Sequence, residues 1–301
     1  MNIISRESNM CPSGFFSPMI LWKAVLDSTA RKARAAVLPI LGTSEANIDV
    51  GAGAGGDTTK KIDAIAEDLI IDELRKTGQP IKIFTEERGL VFINCPDNSE
   101  KVNLHAIIDP IDGSFNATRN LPFFAVSIAI ASGPRVKDIT DGVVLNVATG
   151  DVLAATRGKG AWLNGTQLKP LEQDIRLLDA AMGIDLNPKR REFERSDLIR
   201  RFASLINAPR KIRVLGSNAL ELCLVATGAL DCFIDVRGSL RIMDIAAAWL
   251  IVKENGGHVV QLRDGNTLEL DSLELGIDVR MAVLAAGNLE LKKEMEKIPA
   301  G

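Results

Sequence analysis

Two apolar segments of this sequence each end in carboxylates, and this feature constrains the possible fold more than any other. Residues 104–108 lead directly into Asp109 and Asp112, and residues 81–85 lead into the pair Glu86-Glu87. Short apolar runs bounded by turn-forming residues are typical of strands. We therefore predict two strands that deliver acidic side chains at their ends.

The six residues DPIDGS, from Asp109 to Ser114, predict a phosphate-binding turn. Pro110 favours an extended conformation for Asp109, so the Asp109 carboxylate is expected to project from the point where the strand stops. Asp112 is then placed to cap a new turn, which leaves the backbone amides of Gly113 and Ser114 free to face an anion. An ordinary turn with an aspartate cap is the alternative explanation of the same residues.

Carboxylates beside a phosphate require cations between them, because like charges repel. Magnesium prefers hard oxygen ligands and commonly bridges carboxylates to a substrate phosphate. Further carboxylates are available at Glu86-Glu87 and at Asp244, which follows the apolar pair Ile242-Met243. An exposed loop pair and a simple helix N-cap would explain these residues individually. Together the carboxylates offer enough oxygens for two or three metal ions.

A glycine-rich loop offers a competing nucleotide-binding interpretation. Gly51, Gly53 and Gly56 match the pattern GxGxxG. That fingerprint must follow a strand and open a helix, yet this loop is predicted to follow a helix, a proline and a polar connector. Asp57 also stands where a Walker A loop has lysine. We interpret the segment as a flexible loop and expect no nucleotide-dependent oxidoreductase.

The composition indicates a globular protein without a nucleic-acid or membrane partner. Of the 301 residues, 46% are hydrophobic and 25% are charged, and the net charge is −3. No overall positive field is present to attract nucleic acid or an anionic membrane. The longest apolar stretches fall short of the roughly 20 residues that cross a bilayer. The cysteines are scattered without a CxxC pair, which favours a reducing cytoplasm over a zinc site.

Apolar spacing predicts helices and strands throughout the chain. In the first half we expect helices over residues 17–41, opened by Ser17-Pro18, and 59–77, strands over 123–131, 142–147 and 152–155, and a hairpin at Asn164-Gly165. In the second half we expect helices over residues 197–205, 217–227 and 244–255, strands near 212–215 and 232–235, and two more short strands.

These elements predict an α+β protein of two subdomains. Residues 17–170 would form an N-terminal α+β subdomain with an antiparallel sheet and most of the candidate metal ligands. Residues 171–301 would form a C-terminal α/β subdomain with the substrate contacts. Residues 1–16 are interpreted as a loose extension.

Three motifs in order carry a resemblance to a known family. The motifs are TEE at residues 85–87, DPIDGS at residues 109–114 and MDIAAA at residues 243–248. With them, from about Ser17 to the end, the chain resembles the inositol monophosphatase family. The segment DVRGSLRIMD, residues 235–244, is similar to the archaeal branch, which combines inositol-phosphate and fructose-1,6-bisphosphate hydrolysis. The resemblance implies a layered α/β/α/β/α sandwich, a homodimer and two or three Mg²⁺ ions.

The resemblance also implies which residues hold the metal ions. Glu86, Asp109 and the backbone carbonyl of Ile111 would hold the first ion. Asp109, Asp112 and Asp244 would hold the second, so that Asp109 bridges the two. A third, looser ion would lie near Glu86 and bind mostly through water.

Catalytic and substrate roles follow from the same resemblance. Asp63 would help to hold the third ion and would pair with Ser114 to orient the attacking water, while the amides of Gly113 and Ser114 would face the phosphate. Many members have threonine in place of Ser114 and tryptophan in place of Met243; serine keeps the hydroxyl. The expected polyol contacts are Gly216, Ser217, Asn218 and Asp235. Three arginines are candidates for a second phosphate: Arg213, Arg237 and Arg241.

The reaction implied is hydrolysis of a sugar or polyol phosphate monoester by water that magnesium activates, without a phosphoenzyme. Two alternatives stay open at this point. A 3′(2′),5′-bisphosphate nucleotidase of the same superfamily would need a pocket for adenine, and a chain with 4% aromatic residues and no tyrosine shows no evident platform for it. A noncatalytic metal and phosphate sensor could keep the same carboxylates, although the Asp63 and Ser114 pair argues against it.

Overall fold

Two amphipathic helices begin the part of the chain that this computed structural model describes, namely residues 20–54, 58–95, 102–171, 175–187, 194–263 and 266–298. Helix α1 covers Trp22–Val37 and helix α2 covers Lys61–Arg75. The second helix confirms the prediction. The first begins at Trp22, and the proposed start at Ser17-Pro18 lies outside the described residues.

The glycine-rich segment lies beside a small antiparallel sheet between these helices. Strand β1 covers Asp49–Ala52 and pairs with β2, Thr58–Lys60. Gly51 therefore lies in a strand, whereas Gly56 and Asp57 fall outside the described residues. An antiparallel pair at this place is not the βαβ unit that a dinucleotide fingerprint requires.

Eight strands of the first half form one mixed sheet. They are β3 (Ile81–Thr85), β4 (Gly89–Ile93), β5 (His105–Asp112), β6 (Ala125–Ala131), β7 (Ile139–Asn146), β8 (Val152–Thr156), β9 (Gly160–Leu163) and β10 (Thr166–Gln167). Their order is β10-β9-β8-β7-β6-β5-β3-β4. Neighbours are antiparallel, as predicted, except β3 and β5, which run parallel. Asn164-Gly165 forms the predicted hairpin turn between β9 and β10.

Strand β5 corrects one prediction. The strand was expected to stop at Asp109, but it continues to Asp112 with an irregularity in its pairing to β6 between these two residues. Pro110 explains the irregularity, because it has no N–H to donate and cannot take part in a regular ladder. The extra residue is a β-bulge, which re-aims side chains at the strand end. The five-residue helix α3, Ser114–Thr118, follows.

The second half forms a six-stranded mixed sheet with five helices. The strands are β11 (Ala181–Asp185), β12 (Lys211–Arg213), β13 (Cys232–Arg241), β14 (His258–Arg263), β15 (Asn266–Glu269) and β16 (Arg280–Ala286), in the order β12-β11-β13-β16-β14-β15. The helices are α4 (Arg195–Arg201), α5 (Ala203–Asn207), α6 (Asn218–Thr227), α7 (Ile242–Glu254) and α8 (Leu289–Glu296).

Several boundaries in this half differ from prediction. The helix expected over residues 197–205 is the pair α4 and α5, because the chain leaves helical geometry at Phe202. Helix α7 begins at Ile242 rather than at Asp244. Three strands rather than two follow α7, and α8 was not predicted.

The elements stack in five layers. Helices α1 and α2 cover the outer face of the first sheet, and α6 and α7 lie between the two sheets. Helices α4, α5 and α8 cover the outer face of the second sheet. Helix α7 is buried on all sides from Ile242 to Val252, as a helix between two sheets must be. The layered α+β sandwich is therefore confirmed.

The two sheets divide the chain near the predicted boundary. Every strand of the eight-stranded sheet ends before residue 168, and every strand of the six-stranded sheet begins after residue 180. The two subdomains, residues 17–170 and 171–301, stay a prediction, since α6 and α7 share one core with both sheets. Within the described ranges, no helix has the length and apolar character needed to cross a membrane.

Candidate metal centre

Three carboxylates from distant parts of the sequence meet at one edge of the first sheet. Parallel pairing places Thr85 of β3 opposite Ile108 of β5, so the residues that follow, Glu86 and Asp109, lie side by side. Asp244 reaches the same point from the start of α7. One oxygen of each of these three carboxylates lies within 4.8 Å of the others. We call these three residues, Glu86, Asp109 and Asp244, the acid cage.

Asp109 is the most constrained member of the acid cage. Burial raises the pKa of its carboxyl well above the usual value, and the negative charges of Glu86, Asp112 and Asp244 raise it further. Its Oδ1 atom is buried and has no hydrogen-bond partner among the described residues. A buried carboxylate without a partner is unfavourable unless a cation binds it. Hard oxygen ligands of this kind fit a divalent cation such as magnesium.

Arg241 places a permanent positive charge inside this cluster. Its guanidinium contacts Glu86, and its Nη2 atom lies 3.1 Å from Oδ1 of Asp244. Its side chain is only 4% exposed, so these ion pairs are shielded from water. The backbone N–H of Arg241 also donates to Asp244 Oδ2 over 2.8 Å. Asp244 is therefore the third residue of α7 and bonds back to the residue before the helix, rather than being the N-cap itself.

Asp112 lies beside the acid cage but faces the start of α6. Its Oδ2 atom accepts hydrogen bonds from the Ser217 hydroxyl and, over 2.7 Å, from the backbone N–H of Ala219. The first amides of a helix lack partners within the helix, and an external carboxylate satisfies them. Burial raises the pKa of Asp112 to about 7, with the nearby charge of Asp244 adding to the rise. Asp112 thus joins the first sheet to the central helices.

Ser114 and Asp63 form the predicted pair. The Ser114 Oγ atom lies 2.8 Å from Asp63 Oδ1 and 2.9 Å from the carbonyl oxygen of Ile111. Asp63 is on the first turn of α2, and burial, followed by the charge of Glu86, raises its pKa to about 8. A carboxyl whose pKa is near neutrality is suited to accept a proton from water.

Gly113 allows the phosphate loop to approach the second half of the chain. Its φ angle is +90°, a left-handed conformation that favours glycine. A β-carbon at this position would lie 3.0 Å from the carbonyl oxygen of Gly216. A side chain at residue 113 would therefore push the two loops apart.

A cavity of about 750 Å³ opens over these groups. Its walls contain every predicted site residue except Ser217, Asp235 and Arg213. Ser217 is fully buried and bonded to Asp112, and Asp235 is fully buried and accepts hydrogen bonds from Arg237. We therefore correct these two assignments. Ser217 and Asp235 do not line the cavity but are buried partners of residues that do. Among the arginines, Arg237 and Arg241 line the cavity and are ion-paired, whereas Arg213 is an exposed residue outside its walls.

The cavity wall also contains residues that the sequence analysis missed. Asp185 is the last residue of β11, which runs parallel to β13 with Asp185 opposite Asp235, and Asn187 lies two residues later. A sequence signal for Asp185 was present, because a carboxylate stands at the end of β11, as Asp112 does at the end of β5 and Glu86 directly after β3. Phe115 lies in the same wall with 69% of its surface exposed.

Comparison with known proteins agrees with this arrangement. Residues 22–298 match the sequence model of the inositol monophosphatase family. A fructose-1,6-bisphosphatase/inositol-1-monophosphatase of Methanothermobacter thermautotrophicus is 38% identical over 285 residues, which cover 93% of this chain and 96% of that protein. A bifunctional NADP phosphatase/NAD kinase of Methanococcus maripaludis is 34% identical over 88% of this chain, which corresponds to 47% of that longer protein.

Solved structures show the same fold. A crystal structure of an inositol monophosphatase–fructose 1,6-bisphosphatase superposes with a TM-score of 0.75 at 27% identity. The match covers 92% of this chain and 99% of that one.

Replacing Arg241 tests the charge balance of the acid cage. We expect Arg241→Met to lower the melting temperature measured without metal, because the buried carboxylates lose their internal counter-charge; breaking a buried ion pair costs about 3–5 kcal/mol. Added Mg²⁺ should raise the melting temperature of the variant more than that of the wild type. Arg213→Met, at an exposed arginine, is the control. A metal-free melting temperature equal to that of the wild type would contradict this role of Arg241.

Proposed function

The chain belongs to the inositol monophosphatase family, and we propose that it is a phosphoric monoester hydrolase that uses Mg²⁺ to hydrolyse inositol monophosphate and fructose 1,6-bisphosphate. The observation that supports this most is the meeting of Glu86, Asp109 and Asp244 within 4.8 Å. The hydrogen-bonded pair of Ser114 and Asp63 lies in the walls of the same cavity.

The acid cage provides the ligands for the cofactor. Asp109, whose Oδ1 has no partner among the described residues, would hold the ion together with Glu86 and Asp244. The carbonyl oxygen of Ile111 lies 2.9 Å from the Ser114 Oγ atom, and because a carbonyl oxygen has two lone pairs, at least one stays available to a cation. Asp112 would complete the ligand set from the α6 side. When bound, Mg²⁺ stabilises charge on the phosphoryl group and makes water a stronger nucleophile.

The remaining groups of the site accept the proton of water, contact the phosphate and bind the hydroxyls of the substrate. Asp63 accepts the proton of the attacking water, and the Ser114 hydroxyl orients that water in line with the bond that breaks. The backbone N–H groups of Gly113 and Ser114 face the phosphate oxygens and offset the charge that develops there. Asn218 lines the cavity with a buried Oδ1 that has no hydrogen-bond partner in the described part of the chain. A substrate hydroxyl supplies the donor that this oxygen lacks.

A second candidate substrate class is a nucleotide with a phosphate on its ribose. The low aromatic content predicted no platform for a base, but Phe115 is exposed in the cavity wall beside the phosphate loop. Base stacking on an aromatic side chain contributes about 1–3 kcal/mol per base. A relative of this chain in Methanococcus maripaludis is a bifunctional NADP phosphatase/NAD kinase, and an NADP phosphatase activity fits this alternative. The homodimer and the cytoplasmic location stay predictions.

Asp109→Asn tests the proposed function. We expect this variant to lose Mg²⁺-dependent release of inorganic phosphate from inositol 1-phosphate and from fructose 1,6-bisphosphate, because a neutral amide cannot bridge two cations. Its melting temperature should stay close to that of the wild type, and Asp72→Asn on the exposed face of α2 should retain full activity. Unaltered turnover in Asp109→Asn would refute the assignment. Calorimetric binding of the esters by the wild type without any turnover would instead support the noncatalytic sensor.

Phe115→Ala separates the two substrate classes. If a nucleotide base stacks on Phe115, this variant should lose about tenfold or more in kcat/KM for NADP⁺ and for adenosine 3′,5′-bisphosphate. Turnover of inositol 1-phosphate should stay within twofold of the wild type, because a polyol has no base to stack. Leu121→Ala, an exposed apolar residue outside the cavity wall, is the matched control. Equal losses on all substrates would exclude a base-stacking role.

A further inference from the structure

Glu86 is the one member of the acid cage that no helix or strand holds in place. It lies in the three-residue turn, residues 86–88, that joins β3 to β4. Asp109 is within β5 and Asp244 is within α7. A ligand on a turn needs other contacts to keep its carboxylate at the correct distance from its partners.

Glu67 makes such contacts on both sides of Glu86. Its Oε1 atom accepts a hydrogen bond from the Thr85 hydroxyl over 2.6 Å. The same oxygen accepts the backbone N–H groups of Glu87 and Arg88, each over 3.2 Å. The Arg88 Nε atom lies 3.3 Å from the other carboxylate oxygen. One side chain therefore bonds to the residue before Glu86 and to the two residues after it.

The negative charge of Glu67 is unfavourable in this buried, acidic environment unless the hydrogen bonds to the turn compensate for it. Glu67 is 1% exposed, and burial raises the pKa of its carboxyl. Its negative charge also raises the pKa of the neighbouring Glu87. Adding a buried carboxylate beside an acidic cluster costs free energy, whereas hydrogen bonds to a charged acceptor are stronger than those between neutral groups. The bonds to the turn provide the compensation.

Glu67 also connects the turn to the Ser114 and Asp63 pair. Asp63 and Glu67 both belong to α2 and are separated by four residues, so they lie on the same face of the helix. A single rigid element thereby holds the carboxylate that pairs with Ser114 and the carboxylate that shapes the Glu86 turn.

We propose that Glu67 is a positioning residue that holds Glu86 in the geometry required for metal binding. Glu67 is not in the cavity wall and does not itself contact the substrate. Groups that orient metal ligands commonly change metal affinity by 10–100-fold when they are replaced. This role rests on the proposed function only in taking Glu86 as a metal ligand.

The test measures binding of Mg²⁺ alone to the full chain by titration calorimetry. Glu67→Gln keeps the size of the side chain but removes its charge, and we expect the Kd for Mg²⁺ to rise about 10–100-fold. Thr85→Val removes one donor without burying a new charge and should raise the Kd by a smaller factor. Because both changes affect the same bond, their effects in the double variant should be less than additive.

Asp68→Asn is the matched control. Asp68 is the next residue of α2, its side chain is 55% exposed, and it contacts Arg88 but not the backbone of the turn. Its replacement should leave the Kd for Mg²⁺ within twofold of the wild type. A Kd in Glu67→Gln within twofold of the wild type, with or without a lower melting temperature, would overturn the positioning role. Failure of the proposed function would give a different result, namely a wild-type protein that binds Mg²⁺ but releases no phosphate.

Discussion

Repulsion among buried carboxylates is the constraint on which this site depends. Glu86, Asp109 and Asp244 present oxygens within 4.8 Å of one another. Burial and the neighbouring charges raise the pKa of Asp109 well above its usual value. Bringing these carboxylates together does not stabilise the fold, because burying like charges beside one another is unfavourable. We explain the arrangement by cation binding. Bound cations offset the repulsion between the carboxylates, which couples metal binding to the stability of the site.

The architecture resists this repulsion in three ways. The parallel pairing of β3 with β5 fixes Asp109 within the sheet and brings the start of the Glu86 turn beside it. Arg241 supplies a buried positive charge between Glu86 and Asp244. Asp112 turns towards the unsatisfied amides of α6, so its charge also serves the packing of the central helices. Each device acts on a different segment, and together they hold the carboxylates in place before any substrate arrives, as catalysis by preorganised charge requires.

The sequence predicted the position of the site better than its wall. Strands that end in acidic residues were recognised because apolar runs and Asp-Pro or Asp-Gly turns are local patterns. The bulge that carries β5 to Asp112 was missed, because the sequence does not show that β6 pairs with β5 again beyond Pro110. Ser217 and Asp235 were predicted in the wall but are buried beside it, because their hydrogen bonds to Asp112 and Arg237 are tertiary contacts that the sequence does not show.

Residues that depend on tertiary contacts were the hardest to predict. The low aromatic content suggested no platform for a base, and no local pattern showed that Phe115 would lie exposed in the cavity wall. Glu67 carries no local signal of its role, because its partners lie 18 to 21 residues away in sequence. Local patterns cannot report such pairings.

Locating the cations directly is the most decisive measurement. Crystals of the protein grown with Mn²⁺ in place of Mg²⁺ would reveal each ion by its anomalous scattering. We predict two or three ions, of which two share the Asp109 carboxylate, one of them also bound by Glu86 and the other by Asp244. Saturating Mn²⁺ with no anomalous peak beside Asp109 would contradict the account.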